Sequence, residues 1–283
     1  MQIRKKISHL KWTIYRILGL YKPTPNRFKV STLNERVLNF IKTKDGQVLP
    51  ERETILLPEI IIPCYNHGRY LEYLFMTLPT DLPITIINDN STDDSEIYID
   101  KLKKKYNFKV IKNEENLHQW GSVNRAVTES GNNLFVIVNA DDLMIPSWIS
   151  YAIGKMKQSD LSLFAGTAYP FVTLSADYDK WNLGFAELIQ SISYQPNKNI
   201  AYHGPEAARH FIHDNSINMT FNGCTFLKSA WAYVGGMRPL HERVSMHDDR
   251  DFQMRIASFF KIGISEDITT FYRTDSSTGK GTI

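Results

Sequence analysis

The sequence predicts an α/β domain whose central sheet is mostly parallel and carries helices on both faces. Short apolar runs rich in isoleucine, valine and phenylalanine alternate with amphipathic segments of helical length from residue 55 onward. Such alternation is typical of β-α-β units, in which each crossover helix packs against the sheet. Polar clusters follow several of the apolar runs, at the strand ends where open α/β sheets bind their ligands.

The first half of this domain has the more regular pattern. Strands are predicted at residues 60–62, 84–87, 108–111 and 134–138, and helices at 69–78, 94–106, 119–130 and from 146 onward. Residues 170–203 show no clear period, and we interpret them as an irregular region over the site. Regular patterning returns at residues 205–213, 219–227 and 248–260.

Composition limits the class of protein. The chain has 283 residues and a net charge of only +3, which argues against a nucleic-acid-binding surface over the whole molecule. No apolar run approaches the length of a membrane span. Cys64 and Cys224 lack paired spacing, so we expect two buried thiols in a reducing compartment.

The N-terminal residues differ from the rest in composition. We interpret residues 1–54 as a helical extension with one periodic stretch at 33–41, and residues 55–283 as the main domain, with halves at 55–150 and 151–283. Ile3, Ile7, Leu10, Ile14 and Ile17 recur at helical spacing. Six basic residues accompany them. This pattern favours a helix on an anionic membrane surface, and so a cytoplasmic protein peripheral to the inner face of the cell membrane. The alternative is a helix packed on the domain with a solvated basic face.

The cluster Asn139-Ala140-Asp141-Asp142 closes the apolar run at residues 134–138. Two carboxylates and an amide cannot continue a strand into the core, because unpaired buried charge is costly. We therefore expect them at the carboxyl end of the strand, where oxygen atoms suit a hard divalent cation and, with it, a diphosphate. The simpler interpretation is an acidic turn before a helix that begins at Pro146.

Two further acidic clusters lie at predicted element ends. Residues 88–94 follow a buried strand and form either a capped turn or a site in which Asp89 binds a nucleotide base or ribose. Residues 248–255 open an amphipathic helix, where acids are also favourable for structural reasons, and Arg255 lies one turn from Asp251. Three such clusters in one α/β chain favour a ligand site.

Together these segments resemble the family 2 glycosyltransferases of bacterial surface-polysaccharide type, which are inverting enzymes of the GT-A fold. The resemblance covers about residues 58–275 in the family's order. The matching segments are the opening strand and proline–x–tyrosine–asparagine loop at 60–66, the Val-Asp-Asp-Gly-Ser-Thr-Asp signature at 87–93, the asparagine-rich helix at 113–131, the Asp-x-Asp motif at 139–142, the acceptor-side glycine segment at 222–236 and the Glu-Asp-x-Asp-x-x-x-Arg helix at 248–255.

The resemblance implies transfer of one sugar from a nucleotide-diphosphate donor, UDP-linked by preference, to a hydroxyl of a glycan or lipid-linked acceptor in surface-polysaccharide synthesis. It implies that Asp249 is the general base, and that Asp141 and Asp142 hold Mn²⁺ or Mg²⁺. It places Asp248 and Gly223 on the acceptor side. The implied donor contacts are Pro63, Tyr65, Asn66, Asp89, Asn116, Asn124 and Asn139.

Some positions depart from the family pattern. Asn88 and Asn139 replace the first acids of their motifs, which removes charge and should weaken metal affinity. Asp275 stands where the family often has histidine. Two alternatives therefore stay open: a catalytically degenerate GT-A-like glycan-binding domain, and a sugar nucleotidyltransferase. The second would need a glycine-rich phosphate loop, whereas residues 63–68 contain a single glycine.

Overall fold

A computed structural model describes residues 30–55, 57–192, 194, 196, 200–205, 219–239 and 248–276. Within these residues nine strands form one sheet. They are β1 (Pro58–Cys64), β2 (Ile84–Asn88), β3 (Lys109–Lys112), β4 (Leu134–Ile137), β5 (Leu143–Met144), β6 (Leu163–Phe171), β7 (Ile200–His203), β8 (Thr225–Leu227) and β9 (Ile262–Arg273).

The sheet has the order β3-β2-β1-β4-β8-β6-β9-β5, and β7 also pairs with β9. The pairs β1–β2, β1–β4 and β2–β3 are parallel, which confirms the predicted parallel sheet in the first half of the domain. In the second half β6 and β9 are parallel, while β8 runs antiparallel to both β4 and β6. β5 and β7 run antiparallel to β9.

Eight α-helices accompany the sheet in the described residues: α1 (Val30–Thr43), α2 (Leu71–Phe75), α3 (Ser95–Lys103), α4 (His118–Glu129), α5 (Pro146–Gln158), α6 (Tyr178–Gln190), α7 (Lys228–Tyr233) and α8 (Asp248–Ala257). The helix expected at 69–78 is shorter than predicted, because it begins as a 3₁₀ turn at Gly68–Tyr70 and its α-helical part, α2, has only five residues. The expected helices at 94–106, 119–130 and from 146 are confirmed within a few residues as α3, α4 and α5.

The prediction that residues 170–203 are irregular was wrong in part, because α6 occupies thirteen of them. The apolar face of α6 is largely aromatic: Trp181 and Phe185 stack on each other and pack against Phe171 of β6. Leu183 and Leu188 lie exposed on the same helix. These outward-facing leucines obscure the helical period in the sequence, so periodicity alone did not reveal the helix.

The core of the domain surrounds β1 and β4. The isoleucines of β1 and all four residues of β4 are completely buried, as expected for parallel strands covered on both faces. Parallel register aligns Cys64 with Asn88, and Ile61 with Ile137. The polar residues after β1, β2 and β4 therefore share one edge of the sheet.

The N-terminal extension is described only from residue 30, so the predicted amphipathic stripe at residues 3–17 lies outside the described residues. The expected helix at 33–41 is confirmed within α1, and it contacts α8 through Leu33, Val37 and Met254. Among the described helices, none has both the length and the hydropathy to cross a bilayer. The proposed domain boundaries stay predictions.

Candidate functional site

Backbone hydrogen bonds join the ends of β1, β2 and β4. The amide of Asp89 donates to the carbonyl of Cys64 at 2.9 Å, and the amide of Val138 donates to the carbonyl of Ile61 at 3.0 Å. The three loops that follow these strands, which carry the predicted donor and metal residues, therefore start from adjacent positions.

Asn66 ties the loop after β1 to the turn after β2. Its backbone has a positive φ of 57°, a conformation that asparagine adopts more readily than most residues. Its side-chain oxygen accepts a 2.8 Å hydrogen bond from the amide of Thr92, and its side-chain nitrogen donates to the Thr92 hydroxyl at 3.1 Å. Tyr65 is half-buried on the same loop, and Pro63, expected on that loop, is half-buried near the end of β1.

The side chain of Asp89 is hydrogen-bonded within the protein, and the residue is only 2% exposed. Its Oδ1 accepts hydrogen bonds from the side chain of Asn113 at 2.6 Å and from the amide of Leu117 at 2.8 Å. This carboxylate therefore fixes the chain just before α4. A contact between Asp89 and a nucleotide stays a prediction.

Asp142 lies at the base of the turn after β4 and is only 4% exposed. Its Oδ1 accepts a 2.7 Å hydrogen bond from the amide of Arg273, and its Oδ2 accepts a 2.9 Å bond from the side chain of Asn139. Burial, and then the charge of neighbouring Asp141, raise the pKa of Asp142 well above its ordinary value. Both oxygens of this predicted metal ligand thus have protein partners.

Asp141 is the more accessible carboxylate of the pair. It is half-buried, and its Oδ1 lies 3.7 Å from Nδ1 of His67. The side-chain oxygen of Asn139 already accepts a 2.8 Å hydrogen bond from Gln119. The contacts favour Asp141 among the three predicted oxygen ligands, and the metal roles of Asp142 and Asn139 stay predictions.

The described residues contain no cluster of three or more histidines, cysteines and carboxylates that could hold a metal ion by themselves. A single accessible carboxylate nonetheless suits Mg²⁺ or Mn²⁺ bound together with a nucleotide. Magnesium in such sites uses one or two carboxylates and takes its other ligands from phosphates and water. The donor set around Asp141 therefore fits a metal that depends on the substrate for most of its ligands.

Arg273, which the sequence did not single out, organises the same turn from the end of β9. Its side chain is nearly buried, and Nε donates a 3.0 Å hydrogen bond to the carbonyl of Asp141. Its guanidinium carbon lies 4.5 Å from the ring centroid of Tyr70 and 4.6 Å from that of Phe171. Asp275 lies 3.5 Å from Nη1 of Arg273 and also accepts from the amide of Thr173. The signal for this residue was an arginine at the very end of its strand, after Phe271 and Tyr272.

The predicted acceptor segment lies directly beside the turn after β4. The amide of Gly223 donates to the carbonyl of Ile137 at 2.7 Å, and the amide of Asn139 donates to Oδ1 of Asn222 at 3.0 Å. Gly223 has a φ of +77°, and a Cβ there would lie 2.8 Å from the Met144 side chain. Only glycine fits this position without strain.

The acidic helix α8 reaches the same segment. Asp248 is buried, whereas Asp249 is half-buried on the first turn. Burial raises the pKa of the Cys224 thiol to about 12, and the nearby charge of Asp249 adds to this effect. Gln253, one turn further along, donates to the carbonyl of Thr220 at 3.1 Å. Helix α8, which carries Asp249, thus contacts residues 220 and 221, immediately before the asparagine that bonds Asn139.

Two predicted donor residues have local structural partners. The side-chain oxygen of Asn124 accepts from the amide of Met237 at 2.9 Å and from the indole of Trp231 at 3.0 Å, and its nitrogen donates to the Met237 carbonyl. Asn116 accepts a 2.9 Å bond from the amide of His118. These contacts brace α4, and donor binding by either residue stays a prediction.

The family model described as glycosyl transferase family 2 matches residues 59–217. A protein of Haemophilus influenzae named as an uncharacterized glycosyltransferase is 27% identical over 113 residues, which is 38% of this chain and 35% of that protein.

Two solved structures have a similar fold. Residues 1–349 of TarS from S. aureus, in complex with UDP-GlcNAc, align with a TM-score of 0.59 at 14% identity over 81% of this chain and 61% of that one. The mannosyltransferase PcManGT from Pyrobaculum calidifontis, in complex with GDP-Man and Mn²⁺, aligns with a TM-score of 0.53 at 16% identity over 86% of this chain and 64% of that one. The chain spans about a third of the length of the Haemophilus relative and less than two thirds of either structure.

Proposed function

The chain belongs to glycosyl transferase family 2, and from this premise we propose that it is an inverting transferase. It moves one sugar from a nucleotide-diphosphate donor, UDP-linked by preference, to a hydroxyl of a glycan or lipid-linked acceptor in cell-surface polysaccharide synthesis. One observation carries the proposal: residues 220–224 contact both the turn that bears Asp141, through Asn222 and Asn139, and the helix that bears Asp249, through Thr220 and Gln253.

The donor side of the site is formed by the loops after β1, β2 and β4. The two fold relatives were solved with nucleotide sugars, and this supports a nucleotide-sugar donor here. Asp141 would hold a divalent cation, which would supply positive charge against the leaving diphosphate. Arg273 keeps the Asp141 carbonyl in place through a hydrogen bond from Nε.

Asp249 acts on the acceptor. Its carboxylate takes the proton of the acceptor hydroxyl while the hydroxyl oxygen forms a bond to the anomeric carbon. The bond from that carbon to the diphosphate oxygen breaks on the opposite side, so the configuration is inverted. The proton stays on Asp249 until solvent removes it, and the nucleoside diphosphate leaves with the bonding electrons.

A degenerate glycan-binding domain is the second candidate. Asn139 occupies the place of an acid, and both oxygens of Asp142 are engaged by protein groups, so the charge available to a metal is reduced. A domain of this kind would bind sugars without turnover.

Release of nucleoside diphosphate from a panel of nucleotide sugars, with and without Mn²⁺, separates these candidates. The transferase releases diphosphate in a metal-dependent manner when an acceptor hydroxyl is supplied, and NMR of the product shows inverted anomeric configuration. If protein that still binds glycan releases no nucleoside diphosphate from any nucleotide sugar, with or without Mn²⁺, the degenerate domain is favoured. Thermal stabilisation by each nucleotide sugar identifies the donor first, since a ligand that binds only the folded state raises its stability.

A further inference from the structure

Helix α1 lies outside the residues matched by the family model, yet it packs on α8, the helix that carries Asp249. Leu33 and Val37 of α1 are buried against Met254 of α8. Arg36 also donates a 3.2 Å hydrogen bond to the carbonyl of Pro239, the residue next to Arg238. Helix α1 is thus attached both to α8 and to the segment after α7.

Asp251 anchors the first turn of α8 through its carboxylate. It is completely buried, and its carboxylate accepts two hydrogen bonds from Arg238, at 2.9 and 3.0 Å. It also accepts a 2.7 Å bond from Nε of Arg255. Two guanidinium groups thus converge on one carboxylate only two residues from Asp249.

Phe40 of α1 covers this group of charges. Its ring centroid lies 5.3 Å from the guanidinium carbon of Arg238 and 5.3 Å from that of Arg255. Its ring also meets that of Phe259, just beyond the end of α8, in a T-shaped contact with ring centroids 6.0 Å apart. An aromatic face at this distance attracts a cation, and it also keeps water from competing for the carboxylate.

We propose that Phe40 is a positioning residue for the transfer reaction. By covering the Arg238–Asp251–Arg255 group it fixes the first turn of α8, and with it the orientation of Asp249 toward the acceptor hydroxyl. This inference rests on the proposed function of Asp249. It makes part of the N-terminal extension a component of the catalytic apparatus, in addition to any role of residues 1–29.

The test compares Phe40→Ala with Leu38→Ala in the full-length protein. Leu38 packs on the Leu33–Val37–Met254 cluster, so its truncation also removes apolar contacts from α1 but leaves the arginine pair covered. We expect Phe40→Ala to lower kcat at least about tenfold, since misplacement by about 1 Å can cost about 100-fold. The donor dissociation constant should not change, because the donor loops lie on other elements, and Phe40→Tyr should restore kcat.

Leu38→Ala should lower the melting temperature and leave kcat unchanged at temperatures where it is folded. Where Phe40→Ala does not fold, Phe40→Leu, which keeps apolar volume without the ring face, takes its place with the same expected direction. The inference is overturned if the folded Phe40 variant keeps the wild-type kcat, or if Leu38→Ala loses as much kcat as the Phe40 variant does. In either case the proposed function still stands, provided that Asp249→Asn is inactive in the same assay. Full transfer by Asp249→Asn in the same assay overturns the proposed function as well.

Discussion

The backbone amide of Asn139 donates a 3.0 Å hydrogen bond to the side-chain oxygen of Asn222. This bond joins the turn that carries Asp141 to the segment that precedes β8, two parts of the chain separated by more than eighty residues. Because Gly223 also donates to Ile137 of β4, the spacing between the donor and acceptor sides of the site depends on a short stretch around residue 223.

Gly223→Ala should destabilise the protein more than Gly235→Ala. Both glycines have positive φ, +77° and +74°, so both variants share the backbone strain. Only at Gly223 would the new Cβ meet neighbours, the side chains of Met144 and Trp148. We expect a further loss of about 1–3 kcal/mol for Gly223→Ala, typical of overpacking in a core, measured by urea unfolding. If the two variants lose the same free energy of unfolding, the side chains around the new Cβ at residue 223 move aside without cost.

Both cysteine thiols should resist modification in the folded protein. Burial raises the pKa of Cys64 and of Cys224 to about 12, so the reactive thiolate is scarce at pH 8. We expect Ellman's reagent to titrate both thiols quickly in urea and neither quickly in buffer. Rapid reaction of either thiol without denaturant contradicts its burial.

The same pKa shifts predict how stability depends on pH. A thiol whose pKa is higher in the folded state favours folding below its unfolded pKa of about 9, and this contribution is lost as pH rises through about 12. The free energy of unfolding should therefore fall between these values, and less steeply in a Cys64→Ala/Cys224→Ala double variant. An unchanged slope in that double variant would assign the loss to other groups.

Asp141→Ala should weaken binding of the nucleotide sugar and remove its response to Mn²⁺ or Mg²⁺. Hard cations bridge carboxylate and phosphate oxygens, and Asp141 is the accessible carboxylate of its turn. Calorimetric titration of the donor with and without metal measures the effect. Asp160→Ala is a control, since Asp160 is an exposed partner of Arg52. Unaltered donor affinity and metal response in Asp141→Ala would exclude this ligand.

Deleting residues 2–21 should move the protein from the membrane fraction to the soluble fraction without abolishing transfer to a small soluble acceptor. Six basic residues near an anionic surface contribute about 1 kcal/mol each and act together with the apolar stripe. Co-sedimentation with anionic vesicles should weaken as salt rises, and neutral vesicles should bind poorly. If the full-length protein does not bind anionic vesicles at low salt, the apolar stripe packs on the domain instead.

The sequence predicted the parallel half of the sheet well, because strands buried on both faces appear as uninterrupted apolar runs such as residues 60–62. It also predicted the i, i+4 pair of Asp251 and Arg255, which the structure confirms at 2.7 Å. Local patterns carry no information about contacts between distant segments. The contact of Arg273 with Asp141, 132 residues apart, and the cover that Phe40 gives Arg255 could therefore not be predicted.

The role of Asp249 as general base is the central claim, and the activity of Asp249→Asn tests it most directly. The amide keeps the shape of the side chain but cannot accept the proton, so we expect transfer to fall by about 10²–10⁴-fold, the range of general-base assistance. The donor dissociation constant should stay close to that of the wild type, which controls for folding. Transfer within about threefold of wild type, far below that range, would contradict the assignment.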